Sequence, residues 1–155
     1  MSESEKEKSD RQLAELLTEL RVALPGAQVL LAFLLTVPFQ TRFGRTTELD
    51  RVVLFTSMLV TAAGILFLMA PSVYHRIRWN RGGKEDVIRI GHELFLVGTA
   101  CLALGMLCVV FVVGDVLFGL AAAVPAVAVM VLVVGVTWYV LPIERGRKPA
   151  IRDAE

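Results

Sequence analysis

The sequence predicts an all-α protein, an integral membrane four-helix bundle with an N-terminal amphipathic helix. Three observations predict it. Four runs, about 22–40, 52–74, 87–113 and 116–141, are apolar over the roughly 20 residues that a helix needs to cross a bilayer at about 1.5 Å per residue. The composition is 55% hydrophobic with a mean hydropathy of +0.65, above the roughly 45–50% apolar content of a soluble domain. The remaining residues make two ends and short loops, too little to fold a separate soluble core.

Residues 1–10, rich in Ser, Glu and Lys, are expected to form a disordered tail, because they have no apolar surface to bury. Order is expected from Arg11, over a membrane domain that extends to Pro142. Leu13, Leu16, Leu17, Leu20 and Leu24 recur at three- and four-residue spacing opposite Glu15, Thr18, Glu19 and Arg21, the pattern of an amphipathic helix. Pro25-Gly26 follows, and proline disfavours helical geometry in the residue before it. A bend from an interfacial helix into the first span is therefore expected, with one long kinked helix as the alternative.

The second span ends in Tyr74, His75, Arg76 and Trp79, an aromatic and cationic belt at headgroup level. Asn80 to Gly83 reads as a turn and Asp86 as the cap of the third helix. Gly91, Gly98 and Gly105 recur every seven residues along the third span, and Gly119 and Ala123 are their expected counterparts on the fourth. Small side chains let helices approach closely, so an antiparallel hairpin turning at Gly114-Asp115, with Asp115 as cap, is expected. Trp138, Tyr139 and Pro142 close the fourth span, and 143–155 form a polar tail.

Charge orients the array. The segments before the first span, between the second and third together with the first turn of the third, which holds Arg89, and after the fourth carry thirteen of the sixteen Lys and Arg residues. The 40–51 loop carries Arg42, Arg45 and Arg51, countered by Glu48 and Asp50. By the positive-inside rule both termini are cytoplasmic, in a cell membrane. The N-terminal region lacks the basic start and small-residue cleavage site of a secretory signal, so the first span is expected to stay as an anchor.

The strongest polar constellation is Arg89, His92 and Glu93, three and four residues apart on the third helix near the edge of its span. Ionisable groups inside a membrane are costly and often functional, which makes Glu93 a candidate proton-titratable group with His92 beside it. The competing reading is an ion pair pointing to headgroups. Gln28 in the first span either lines a pathway or bonds another helix. Arg76, Arg78 and Arg81 are candidate contacts to anionic lipid headgroups.

Cys101 and Cys108, seven residues apart on one helix, are too distant to bridge and read as packing residues. No metal-ligand spacing, phosphate loop or nucleophile motif suggests a metal, a cofactor or catalysis, so a non-enzymatic protein is expected. Expected partners are the lipid bilayer and either further copies of the chain or a larger membrane protein, with no role for nucleic acid.

The segment Glu15 to Gln40, ELLTELRVALPGAQVLLAFLLTVPFQ, resembles a family of small four-helix membrane proteins, mainly from actinobacteria, classified only as a domain of unknown function. The resemblance extends to APSVYHR at Ala70 to Arg76 and GDVLFG at Gly114 to Gly119, covering Arg11 to Pro142. It implies a bacterial cytoplasmic membrane and four spans, and brings no catalytic residues.

Three functions compete. The first is a structural or accessory protein that packs through its helix faces. The second is a small proton- or ion-coupled transporter or channel using Glu93 and His92, and the third is a lipid-binding or sensing protein.

Overall fold

The computed structural model describes residues 3–78 and 84–140. Within them the chain forms four long helices: α1 (Glu3–Thr36), α2 (Glu48–Arg78), α3 (Lys84–Phe118) and α4 (Leu120–Gly135). Each contains a stretch long and apolar enough to cross a membrane, namely Leu17–Phe39, Glu48–Val73, Ile90–Phe118 and Leu120–Trp138. Two short 3₁₀ turns, Val37–Phe39 and Thr41–Arg45, join α1 to α2, and a π turn, Val136–Val140, continues α4. The chain divides into two units, one ending at Val109 and the other beginning at Val110.

In the first unit each helix buries one seven-residue stripe. On α1 it is Leu20, Ala27 and Leu34, on α3 Gly91, Gly98 and Gly105. On α2 the stripe is filled at alternating spacings of four and three by Asp50, Leu54, Ser57, Thr61, Gly64, Leu68 and Pro71. An apolar or small residue every 3.5 positions keeps one seam facing its neighbours, the pattern of helices crossing at about 20°. Leu20 and Leu68 meet at the centre of the apolar cluster, with Ala23, Leu24, Phe95 and Leu102 packed around them.

That cluster explains two departures from expectation in α1. Pro25 lies inside one continuous helix rather than at a bend between two. Leu20, Ala23 and Leu24, just before the proline, are packed in the cluster with Leu68 of α2, which holds this turn in line although Pro25 offers no N–H to the carbonyl four residues back. The amphipathic segment is therefore the first part of α1, not a separate interfacial helix. The helix also begins at Glu3, within the expected tail, where Glu and Lys are good helix formers. Likewise α3 begins at Lys84, so Asp86 lies inside its first turn instead of capping it.

In the second unit the reversal lies four residues beyond its expected place. Gly114 and Asp115 are inside α3, and the chain turns at Gly119, whose φ of 84° and ψ of 168° belong to a region open essentially only to glycine. The Gly119 N–H donates to the Asp115 carbonyl at 2.8 Å, closing α3. The Gly119 carbonyl accepts from Ala122 and Ala123 at 3.0 and 3.1 Å, opening α4. Gly119 thus serves the turn rather than helix packing and is itself the N-cap of α4, while Asp115 lies inside α3. The close approach in this hairpin is Gly114 against Ala123: a Cβ on Gly114 would lie 3.1 Å from the Ala123 Cα.

Candidate functional site

Among the described residues, the buried polar side chains of the first unit, Asp50, Ser57 and Thr61, lie on α2. Thr47 and Asp50 form a reciprocal capping box at the start of this helix. The Thr47 N–H and hydroxyl donate to Asp50 Oδ2 at 3.0 and 2.8 Å, and the Asp50 N–H donates back to Thr47 Oγ1 at 3.1 Å. Asp50 is only 2% exposed, and its Oδ1 has no hydrogen-bond partner. The neighbouring cation, Arg51, turns elsewhere: its Nε approaches Thr46 Oγ1 at 3.4 Å and its guanidinium lies over the Phe43 ring, 5.8 Å from the centroid.

Seven and eleven residues beyond Asp50 along the same stripe, α2 meets α3 through Ser57 and Thr61. The Ser57 hydroxyl donates to the Gly105 carbonyl at 2.9 Å, and the fully buried Thr61 hydroxyl, without a hydrogen-bond partner, points at the Gly105 α-carbon. Next along the seam, Gly64 and Gly98 face each other reciprocally. A Cβ on either would lie 3.0 Å from the backbone oxygen of the other, so hydrogens take those places in the geometry of paired Cα–H···O contacts. The expected counterparts of Gly98 and Gly105 lay on α4; the contacts found are with α2, through Gly64 and Leu68 for Gly98 and through Ser57 and Thr61 for Gly105. Cys101 packs at the same contact, its Cβ 3.1 Å from that of a side chain built on Gly64.

The polar residues singled out from the sequence lie elsewhere. Gln28 is exposed on α1, and His92 and Glu93 are exposed on α3, while Gly91, on the inward stripe, is buried. Phe95, two residues beyond Glu93, packs into the apolar cluster, so the face of α3 turned inward is not the one that carries His92 and Glu93. The side chains of Arg89, Arg76 and Arg78 lie outside the described residues, as do Arg81 and the tail from 143. Among the described residues an exposed pair, Arg11 with Glu15 at 3.8 Å, is a salt bridge one turn apart on α1, and no group of His, Cys, Asp and Glu is placed to hold a metal ion.

Asp50, Ser57 and Thr61 were missed as a group because each is unremarkable alone. The signal was their seven- and four-residue spacing, in register with Leu54, Gly64 and Leu68.

Residues 2–142 match the family described as a family of unknown function, DUF6328. The chain belongs to this family. No curated protein and no solved structure matches it. For this DUF6328 member, the site geometry and the chemistry of the helix faces are what bear on function.

Proposed function

We propose that this protein is a multi-pass integral protein of a bacterial cytoplasmic membrane, with both termini cytoplasmic and a non-enzymatic, structural or accessory role exercised through helix packing. The observation that carries this reading is the way the first unit spends its residues. Apart from Asp50 in the capping box at the start of α2 and Pro71, its interior seam is occupied by Leu, Ala, Gly, Ser and Thr, whereas Gln28, His92 and Glu93 are turned outward. Outward polar groups on membrane-length helices meet headgroups or a partner chain. Glu93 is three residues into the apolar Ile90–Phe118 stretch, close enough to its end for the carboxylate to reach headgroups.

A transporter built on Glu93 and His92 needs those groups to face an internal path, and a lipid sensor built on the amphipathic segment needs its apolar face free for the bilayer. Leu20 and Leu24 of that face belong to the apolar cluster centred on Leu20 and Leu68 of α2, which favours the packing reading over the sensor. The deciding experiment is proton and cation flux in proteoliposomes. Wild type and Glu93→Gln are expected to match protein-free vesicles, and a flux that Glu93→Gln abolishes would replace this reading with the transporter.

A further inference from the structure

Gln28 stands at the middle of the Leu17–Phe39 span, exposed, with no side-chain hydrogen bond among the described residues of the first unit. A primary amide carries two donors and an acceptor, and hydrocarbon offers partners for none of them. Packing within the first unit does not relieve this, since α1 turns Leu20, Ala27 and Leu34 inward and leaves Gln28 about a quarter-turn away. Pro25, Gln28, Ala32 and Leu35 follow one another at spacings of three, four and three, and all are exposed. They form a strip with an amide at its centre and a small residue one turn away, where a second helix can come close.

We propose that this strip is a self-association surface, on which α1 of a second copy of the chain packs in parallel so that the two Gln28 amides hydrogen-bond each other. The occupant is a second copy because an amide is complementary to itself. Copies inserted with the same orientation also place Gln28 at the same depth, as a two-fold axis along the membrane normal requires. This inference rests on the membrane reading above and adds the partner and the contact.

The test uses the full chain in lipid vesicles, with the dimer fraction measured by single-molecule photobleaching over a range of protein-to-lipid ratios. Wild type is expected to dimerise, Gln28→Leu to dimerise about tenfold more weakly, and Gln28→Asn, which keeps the amide, to stay close to wild type. In a Cys101→Ala, Cys108→Ala background, Ala32→Cys and Leu35→Cys should form cross-linked dimers on oxidation, and the buried Ala27→Cys should not. A monomeric wild type, undiminished dimerisation of Gln28→Leu, or failure of both Ala32→Cys and Leu35→Cys to cross-link would overturn the proposal. Extraction by alkaline wash separates the two failures. A chain released from membranes sinks the membrane reading itself, whereas an integrated but monomeric chain sinks only the self-association, leaving lipid or another protein on this face.

Discussion

At Gly105 the absence of a side chain is what lets α3 lie against α2, because a Cβ there would overlap the Thr61 hydroxyl. Gly105→Ala is expected to destabilise the protein by about 1–3 kcal/mol, the usual cost of overpacking. Combining it with Thr61→Ala should recover most of that loss, since the obstructing atom goes with it. A double-mutant cycle of unfolding free energies in lipid checks this, and additive losses would contradict the contact. Gly98→Ala has no such remedy. Its Cβ would meet the Gly64 backbone oxygen at 3.0 Å and Leu68 Cγ at 2.9 Å, so helices must separate. Ser57→Ala removes one hydrogen bond to the Gly105 carbonyl and is expected to cost only about 0.6 kcal/mol, typical of bonds between membrane helices.

Helix ends make separate demands. The capping box of α2 supplies partners for donors that the first turn would otherwise leave open, so Thr47→Ala is expected to cost about 1 kcal/mol, measurable as a lower unfolding midpoint. Gly119→Ala places a side chain at a φ of 84° and is expected to cost about 1–3 kcal/mol. Open space around the added Cβ means that this loss comes from the backbone rather than from packing, so Gly119→Asn should suffer no extra steric penalty over Ala. The existence of these helices was legible from apolar length alone, but their ends were not. Gly114-Asp115 looked like a turn because a glycine beside a carboxylate interrupts the apolar run. The helix continues through it because a single polar residue near a helix end costs less than breaking the backbone ladder, and Gly119 offers the left-handed geometry that a reversal needs. Pro25 misled in the same way: proline weakens a helix locally, and packing on both sides of that weakness decides whether the helix goes on.

On the scale of the whole molecule, the charge distribution makes a prediction about orientation. Reporter fusions at either terminus are expected to read as cytoplasmic and an insertion near Gly44 as external, following the excess of Lys and Arg outside the 40–51 loop. An external terminus would reverse the topology. Membrane-length helices, their number and the charge asymmetry are properties of composition along the chain, and the sequence by itself determined them, because partition into lipid depends on summed apolar content and not on which neighbour a side chain meets. The seven-residue glycine period of α3 was also readable there. Its partner was decided only by the tertiary structure, since a small stripe states that some helix comes close without stating which. The same holds for Asp50, Ser57 and Thr61, which turn inward, and for Gln28, His92 and Glu93, which turn outward. A polar residue on an apolar helix has no preferred direction of its own, and the packing of Leu20 on Leu68 and of Gly64 on Gly98 sets the rotation of each helix and so the face on which that residue ends.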